Sequence, residues 1–446
     1  MPETDLPDEI QPDPQPDPQP DPAPDPAPEP EPEPEPIPLT PVARQERIAA
    51  MDVLRGLAVL GIFLINMPLY VGPMNAFFNW ENNPYWTSTP DRLATLFIYI
   101  FAQGKFYTLF SFLFGLGFGV QLMRATERHS PNFLSTFRRR LTVLLTLGVL
   151  HFFLIWWGDV LHVYALLGFL LILFRNKTDR KLLFIAAGLT FAPLIVATIG
   201  TTYDHFTRKE PTAEEKKKQA ERKEQSAKRL MDDVKAYSSA PFPQLLAHRF
   251  QGNLRHLPGE IGWSTELFAN FLIGLWVSRR RILQDPQSYR PLLTKLAYIA
   301  LPLAIVITTV DQVWGYQNPG ADAPLWRTHL GLVREFLCRP AMAYGYAALL
   351  LLIGIKSWMS PFAAVGRMAL TNYLLHSLVW TTVANSYGMG LYGRIHPLQG
   401  LIYCFAFYAL QLPFSMLWLK AFNYGPAEWV WRSLNYGKAQ PMLREQ

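Results

Sequence analysis

Two histidines and one aspartate lie close together in the sequence, in a segment that runs from His151 to His162. Asp159 and His162 are one helical turn apart, so their side chains can meet, and His151 lies about two turns back on the preceding helix. A histidine beside a carboxylate is the usual general-base pair of enzymes. A structural role fits the same residues, because Asp159 could cap a helix while the histidines form internal hydrogen bonds.

A second polar pattern lies inside the first long apolar segment of the chain. Arg55 and Asn66 are eleven residues apart, and at about 100° per residue this step returns to nearly the same face of a helix. Along the helix axis the two residues are separated by about 16 Å. An ionisable group inside a membrane span costs about 3 kcal/mol or more, so the pattern predicts a polar stripe that faces the protein interior.

Four further polar residues in apolar segments are candidate ligand-binding residues. Lys105 either reaches the membrane surface or holds an anionic or carbonyl group. Asn372 and His376 share one helix face, which predicts either a polar cavity or hydrogen bonds between helices. Arg367 opens the same segment, and its planar guanidinium suits phosphate groups. The sequence has no Cys/His spacing of the kind that binds metal ions, so we expect no metal.

The composition of the chain is typical of an integral membrane protein. It has 446 residues, 50% of them hydrophobic. The apolar residues occur in blocks of about 20, the length that crosses a ~30 Å hydrocarbon layer. The net charge is +6, and the basic residues concentrate in the loops between the blocks. This distribution fits membrane topology and contact with the lipid bilayer, and it gives no reason to expect nucleic-acid binding. We therefore predict an all-α polytopic membrane protein.

Ten apolar segments have the length and composition of transmembrane helices. Loops rich in Lys and Arg alternate with poorer ones, so the positive-inside rule places both termini in the cytoplasm. The second segment is long, and Gly104 is a predicted break in it. The predicted helices lie near residues 50–71, 94–122, 138–157, 159–175, 181–201, 262–280, 292–313, 334–355, 361–384 and 398–420.

The segments between and around these helices define the domain organisation. The N-terminal arm has Pro at about every second position, a pattern that forbids helix and predicts disorder. A charged segment near residues 214–235 predicts a solvated helix, and residues 424–437 predict an amphipathic helix at the membrane surface. The predicted units are a disordered acidic arm, 1–43, a five-helix membrane half, 44–202, an outer helical insert, 203–260, a second five-helix half, 261–438, and a tail, 439–446.

Several motifs together resemble the YeiB family of bacterial inner-membrane proteins. The resemblance runs from about residue 46 to residue 436, and the C-terminal half resembles that family's domain of unknown function. It implies a multi-pass protein of the bacterial inner membrane. The motifs that carry it are Asp52-Val-Leu-Arg55-Gly56 with Asn66 in the first segment, Lys105-Phe-Tyr-Thr-Leu-Phe-Ser-Phe-Leu-Phe-Gly115, Trp157-Gly158-Asp159, Gly366-Arg367-Met-Ala-Leu-Thr-Asn372-Tyr373-Leu-Leu and Gly425-Pro-Ala-Glu428-Trp-Val-Trp.

The YeiB family is similar to a wider group of transmembrane acyltransferases, which includes heparan-α-glucosaminide N-acetyltransferase and bacterial polysaccharide O-acyltransferases. That similarity implies transfer of an acyl group from cytoplasmic acyl-CoA to an acceptor outside. The polysaccharide enzymes carry Arg, ten residues, then His in the first helix, and here Asn66 follows Arg55 at that spacing. The heparan enzyme also has Asn there, and its catalytic His would fall near Phe77. Because Asn is no base at neutral pH, the base must come from elsewhere.

The hypothesis that follows is a membrane acyltransferase with acyl-CoA as donor and an envelope glycan or lipid-linked molecule as acceptor. Arg55 and Arg367 would hold phosphates, Asn66 would bind the acyl carbonyl, and the acceptor proton would go to His151 or Asp159. Two other functions fit the sequence, a small-solute transporter and a non-catalytic membrane partner, and a homo-oligomer is compatible with it. The predicted site residues are His151, Asp159 and Asn66 for catalysis, and Arg55, Lys105, Arg367, Asn372 and His376 for acyl-CoA.

Overall fold

The computed structural model describes residues 48–82, 86–130, 132–208, 210, 212–319 and 322–444. The predicted acidic arm, residues 1–43, lies outside the described residues, as do residues 445–446 of the predicted tail. Within the described ranges the chain is helical and forms no β-strand. The all-α class predicted from the apolar blocks is therefore confirmed.

In the N-terminal part of the chain, every predicted apolar segment forms a helix. The helices are α1 (Ala49–Val71), α2 (Met74–Phe78), α3 (Thr89–Phe101), α4 (Lys105–Glu127), α5 (Phe133–Leu154), α6 (Leu161–Ile172) and α7 (Asp179–Thr207). α1 is buried over most of its length because other helices pack around it, whereas most side chains of α7 are exposed. The polar stripe predicted on α1 therefore belongs to a central helix.

The C-terminal part of the chain also follows the apolar pattern, with differences in several helix boundaries. The helices are α8 (Ala213–Ser239), α9 (Phe242–Arg279), α10 (Arg290–Lys295), α11 (Leu301–Gln317), α12 (Leu325–Val333), α13 (Arg339–Ile353), α14 (Ser360–Arg367), α15 (Ala369–Ala384), α16 (Pro397–Ala421) and α17 (Pro426–Tyr436). The predicted ninth helix is interrupted at Met368, which separates α14 from α15. α9 runs without a break from the predicted insert into the predicted sixth span.

Six helical segments among the described residues are long and apolar enough to cross a membrane, by length and composition. They are Ala49–Val71, Thr89–Glu127, Asp179–Thr207, Arg290–Gln317, Leu325–Ile353 and Pro397–Ala421. The other four predicted spans correspond to α5, α6, the C-terminal part of α9 and the pair α14–α15. The chain is thus a multi-pass membrane protein, while the count of ten spans and the cytoplasmic placement of both termini stay predictions.

α1 and α14 cross closely because each carries a glycine at the crossing. A Cβ atom added to Gly56 would lie 2.0 Å from the carbonyl oxygen of Phe362, and one added to Gly366 would lie 1.8 Å from that of Asp52. A larger residue at either position would force the helices apart. Arg55 and Arg367 are the sequence neighbours of these glycines, so the crossing brings the two arginines into one region.

The predicted break at Gly104 separates α3 from α4 and is confirmed. Gly104 has a φ of +88°, a conformation that other residues rarely adopt, and a Cβ atom here would lie 2.3 Å from Cδ of Arg339. Lys105 follows as the first residue of α4 and is buried, and its Nζ donates a hydrogen bond to the carbonyl of Tyr99 at 2.7 Å. The break therefore turns Lys105 towards the backbone of α3.

The charged insert forms the predicted helix, α8, and this helix packs back on its neighbours. α8 begins with a capping box in which Thr212 and Glu215 satisfy each other's backbone N–H groups. Near its C-terminal end, the ring of Tyr237 stacks on Tyr392 at a centroid distance of 4.7 Å. Because α9 continues directly from the insert, this one helix connects the insert to the buried residues of the predicted sixth span.

Candidate active site

His151 forms the centre of a buried hydrogen-bonded group that α5, the turn after it and α15 contribute. Its Nδ1 lies 2.9 Å from Oδ1 of Asp159, and its Nε2 lies 2.7 Å from the hydroxyl oxygen of Ser377. A carboxylate only accepts hydrogen bonds, so Nδ1 carries a proton. In a ring with a single proton, Nε2 then accepts a hydrogen bond from Ser377. The predicted clustering of His151 with Asp159 is confirmed.

Asp159 has all its acceptor positions in use. Oδ2 accepts hydrogen bonds from the backbone N–H groups of Leu161 at 2.9 Å and His162 at 3.2 Å, and from Nδ1 of His162 at 3.1 Å. Oδ1 accepts from His151 and also from the hydroxyl of Tyr373, at 3.2 Å. Asp159 therefore caps α6, as the structural interpretation predicts, and also orients His151. With its lone pairs occupied, it is better placed to orient a base than to act as one.

His162 extends the group from Asp159 towards the surface. Its Nε2 lies 3.0 Å from Oε2 of Glu260 on α9, so both ring nitrogens face carboxylate oxygens and both must donate. His162 is then a cation between two carboxylates, and it offsets one of their negative charges. Within the part of the chain that the structure describes, no group of three or more His, Cys, Asp or Glu side chains is arranged to hold a metal ion.

A cavity of about 340 Å³ opens between α1, α4, α5, α6, α14, α15 and α17. The predicted pair Arg55 and Arg367 lines this one cavity. The middle of the cavity is apolar, and the side chains there include Val59, Ile62, Phe110, Leu113, Phe114, Phe118, Leu144 and Val160. Arginines from five helices and one loop surround its mouth, namely Arg55, Arg124, Arg128, Arg140, Arg367 and Arg432.

Among the described residues that line this cavity, basic side chains outnumber the acidic ones, which are Asp52 and Glu428. Nη1 of Arg55 lies 3.3 Å from Oδ1 of Asp52. Arg140 instead donates a hydrogen bond to the Gln121 side chain at 2.6 Å, and Arg55, Arg140 and Arg432 are close enough to repel one another. Guanidinium groups that outnumber the carboxylates around a cavity favour the binding of an anion.

The carboxylate of Glu428 is hydrogen-bonded to the start of α15 and therefore offsets little of the positive charge of the cavity. Its carboxylate accepts hydrogen bonds from the backbone N–H groups of Leu370 at 2.7 Å and Thr371 at 3.1 Å, and from the Thr371 hydroxyl at 2.5 Å. Burial raises the pKa of the Glu428 carboxyl above its usual value. These bonds fix α17 against α15, which places Arg432 at the cavity. Its Nε has no hydrogen-bond partner among the residues that the structure describes.

The cavity leads towards the group around His151. On α15 the residues that line it end at Tyr373, and Ser377 is the next residue on that helix face. On α5 they end at Leu144, two turns before His151. The ring of Tyr373 lies 5.7 Å from that of His151, centroid to centroid. One aromatic side chain therefore separates the apolar end of the cavity from the buried histidine.

Asn66 lies just beyond the end of the cavity on α1, as Ser377 does on α15. The residues of α1 that line the cavity include Arg55 and end at Ile62, and Asn66 follows one turn later on the same face. Its side-chain amide lies 3.5 Å from the hydroxyl of Tyr70, whose ring packs on Trp156 at a centroid distance of 4.4 Å. Asn66 thus lies beyond the cavity, on the continuation of its lining stripe.

Lys105 lies apart from Arg55 and Arg367, in a second concentration of charge. Nε of Arg334 lies 2.9 Å from Oδ2 of the buried Asp311, and Nη1 of Arg339 lies 3.8 Å from Oε2 of Glu266. A second cavity, of about 940 Å³ and mostly apolar, opens beside Glu266. We call this region the ion-pair cluster, and it consists of Glu81, Glu266, Asp311, Glu335, Lys105, Arg327, Arg334 and Arg339.

Asn372 and His376 connect α15 to α16. Nε2 of His376 lies 2.7 Å from Oε1 of Gln411, whose Nε2 donates a hydrogen bond to Oδ1 of Asn372 at 3.0 Å. Asn372 in turn donates to the Ser415 hydroxyl at 3.3 Å, and the ring of His376 stacks on Phe63 at 3.8 Å. These contacts are the hydrogen bonds between helices that one interpretation predicts. Neither residue lines the cavity, and their role in ligand binding stays a prediction.

The structure adds three residues that the sequence did not predict as site residues. Ser377 directly follows His376, and its helical spacing from Tyr373 was the available signal. Arg432 lies in the predicted amphipathic helix, where a cation beside Trp431 indicates one functional face. Glu260 carried no such signal, because its partner His162 lies on another helix nearly a hundred positions earlier.

The comparisons with known proteins support the family resemblance that the sequence motifs predict. Residues 277–438 match a family described as "Protein of unknown function (DUF418)". "Uncharacterized protein YxaH" of Bacillus subtilis (strain 168) is 32% identical over 427 residues, which cover 91% of this chain and 98% of that protein. "Uncharacterized protein YeiB" of Escherichia coli (strain K12) is 30% identical over 411 residues, or 89% of this chain and 98% of that one. No solved structure matches. Since these similarities extend over nearly the whole chain, the protein belongs to the YeiB family, as its motifs predicted.

Proposed function

We propose that this protein is a membrane acyltransferase that moves an acyl group from acyl-CoA to an acceptor of the cell envelope. The cavity carries the proposal. It has arginines at its mouth, apolar side chains along its length, and His151 with Asp159 beyond its far end. Acyl-CoA has the matching order of groups, with phosphates at one end, an extended pantetheine arm, and a thioester at the other.

The charge of the cavity mouth supports a phosphate-rich donor. Arg55, Arg140 and Arg432 lie close enough to repel one another, and a bound polyanion would relieve this repulsion. Guanidinium groups bind phosphate oxygens through two parallel hydrogen bonds. The positive-inside rule predicts that this mouth faces the cytoplasm, where acyl-CoA is available. The nucleotide would remain at the mouth while the pantetheine arm enters the apolar part.

The group at the far end supports the chemistry of acyl transfer. Asp159 holds His151 with Nδ1 protonated, so Nε2 carries no proton in the neutral ring and can take one from an attacking hydroxyl or amine. Asn66 lies beyond the same end of the cavity as His151. Its amide is the proposed donor to the oxyanion that forms at the thioester carbon. The acceptor would be an envelope glycan or a lipid-linked molecule that approaches from the opposite membrane surface.

The test is to measure acyl-CoA binding and the release of free CoA thiol by the purified full-length protein in nanodiscs without anionic lipid. We expect Arg55→Ala to weaken binding by about 10- to 100-fold, since hydrogen bonds to charged groups contribute about 1.5–3 kcal/mol. His151→Ala should leave binding intact and lower thiol release by about 10³-fold or more. Arg281→Ala is the matched control, because Arg281 is exposed and lies outside the cavity.

Three results would contradict the proposal. The first is the absence of both binding and thiol release across short and long acyl-CoAs. The second is equal loss of binding in Arg55→Ala and Arg281→Ala, which would make the effect a non-specific one of charge. The third is flux of a small anion into proteoliposomes without any thiol release, which would favour the transporter.

A further inference from the structure

We propose that Ser377 accepts the acyl group covalently, so that transfer across the membrane proceeds in two steps through an acyl-serine. This inference rests on the proposed acyltransferase function and names the group on which the acyl chain rests between donor and acceptor. Ser377 is fully buried, and its hydroxyl oxygen lies 2.7 Å from Nε2 of His151.

The order of the three side chains carries the proposal. The hydroxyl of Ser377, the imidazole of His151 and the carboxylate of Asp159 form a continuous line, with separations of 2.7 Å and 2.9 Å. A nucleophile within hydrogen-bond reach of a base, itself oriented by a third group, is the signature of an activated serine. The five hydrogen bonds that Asp159 accepts fix the outer end of this line.

The hydroxyl proton of Ser377 has two acceptors within reach. One is the carbonyl of Leu374 at 2.9 Å, a bond that serines in helices commonly form. The other is Nε2 of His151, which accepts when Nδ1 carries the ring proton towards Asp159. Ser278 on α9 is also buried and forms the same kind of bond to its own helix, with Leu275, but it has no hydrogen bond to a histidine. Contact with His151 is therefore what distinguishes Ser377.

The position of Ser377 along its helix suits a residue that receives the acyl group from one membrane surface and passes it to an acceptor at the other. It lies eight residues after Ala369 and seven before Ala384, about 12 Å and about 10 Å from the ends of α15. Ala369, at the first end, lines the arginine-rich cavity. Because the acyl group would rest on Ser377, acyl-CoA and the acceptor need never occupy the interior together. Each would reach the same buried atom from its own side.

The two steps balance in atoms and protons. In the first, the oxygen of Ser377 attacks the thioester carbon, the carbon–sulfur bond breaks, and His151 passes the serine proton to the departing CoA thiolate. In the second, the acceptor hydroxyl or amine attacks the acyl-serine while His151 takes its proton. The carbon–oxygen bond to Ser377 then breaks, and His151 returns the proton to Ser377. The sum is transfer of one acyl group with release of free CoA.

Tyr373 separates Ser377 from the cavity until the acyl chain arrives. It is the last cavity-lining residue of α15 before Ser377, and its hydroxyl is held by Asp159 at 3.2 Å. Its ring must turn aside for the thioester to reach the serine. In the closed arrangement it keeps water from the nucleophile, which would limit hydrolysis of the acyl-enzyme.

The experiment mixes the purified full-length protein rapidly with acyl-CoA in the absence of acceptor. We expect a burst of about one equivalent of CoA thiol per protein and an intact mass increased by one acyl group, located by peptide mapping on Ser377. Ser377→Ala should lose the burst and the adduct while it still binds acyl-CoA. Ser377→Cys should regain an adduct, which excludes misfolding as the cause. Ser278→Ala should behave like the unchanged protein.

The outcomes separate this inference from the proposed function. Steady thiol release and acyl transfer that persist in Ser377→Ala, with no adduct on Ser377 of the unchanged protein, would overturn the acyl-serine and leave the acyltransferase in place. An adduct on His151 would overturn it equally. Failure of the unchanged protein to bind or cleave any acyl-CoA would overturn the function itself and the acyl-serine with it.

Discussion

The cavity and the ion-pair cluster both place arginines among membrane helices, and they differ in how the positive charge is balanced. In the ion-pair cluster each arginine has a carboxylate partner within 4.0 Å, and Asp311 lies between Arg327 and Arg334. In the cavity, Arg140 and Arg432 are held by aromatic rings, at 4.2 Å from Trp431 and 4.8 Å from Tyr424.

This difference indicates different purposes for the same residue type. A buried charge whose partner is supplied by the protein is a structural element, because removing that partner leaves an uncompensated charge. Cations that outnumber the carboxylates around an open volume, as they do among the described residues of the cavity lining, have room for a negative partner from outside. The balance of charge, more than the presence of arginine, therefore distinguishes a binding site from a scaffold in this protein.

The largest expected effect is on stability, in the ion-pair cluster. Asp311→Asn keeps the shape of the side chain but removes the negative charge that Arg327 and Arg334 share. We expect it to lower the free energy of unfolding by about 3–5 kcal/mol, since one partner of a buried ion pair is lost. Unfolding in detergent, followed by tryptophan fluorescence, measures this change.

The control for Asp311→Asn is an exposed ion pair. Glu127 lies 2.6 Å from Arg281, and both side chains are more than half exposed. Glu127→Gln should lower the free energy of unfolding by less than about 1 kcal/mol, as is usual for solvated pairs. If both variants lose the same amount, the ion-pair cluster has no special structural role and the comparison fails.

An intermediate effect is expected at the cavity, and on binding more than on stability. Arg432→Gln removes one of several mutually repelling cations, and the Nε of Arg432 has no hydrogen-bond partner in the part of the chain that the structure describes. We expect the free energy of unfolding to change by less than about 1 kcal/mol, because no buried carboxylate loses its partner. Acyl-CoA affinity should fall about tenfold, or about 1.4 kcal/mol, in a titration followed by calorimetry. A loss of stability as large as that of Asp311→Asn would make the cavity arginines structural.

Much of this comparison was predictable from local sequence patterns. The apolar blocks predicted the helices, and Gly104 predicted the break between α3 and α4, because hydrophobic length and backbone conformation are local properties. The His151–Asp159 contact was predictable for the same reason, since a short turn joins their helices. Arg55 and Arg367 were both expected to hold phosphates, and the glycines beside them bring the two into one cavity.

The remaining parts of the site depend on contacts between distant segments. Ser377 lies more than two hundred residues after His151, and only the tertiary structure, in which α17 contacts both α5 and α15, brings them together. The surroundings of Lys105 also depend on tertiary structure. The acidic partners of the neighbouring Arg334 and Arg339 come from α11 and α9. Helical spacing predicts which residues share a face, but it does not predict which other helix that face meets.

The smallest expected effect concerns Lys105, for which the sequence predicted a role in acyl-CoA binding. In the structure its Nζ donates to the Tyr99 carbonyl, within the ion-pair cluster and away from Arg55. Lys105→Met, a replacement of similar length, should therefore change acyl-CoA affinity by less than twofold, or about 0.4 kcal/mol. Arg55→Ala in the same titration shows what loss of a cavity cation does. A tenfold loss of acyl-CoA affinity in Lys105→Met would mean that a charge outside the cavity also contributes to ligand binding. The distinction between the cavity and the ion-pair cluster would then be wrong.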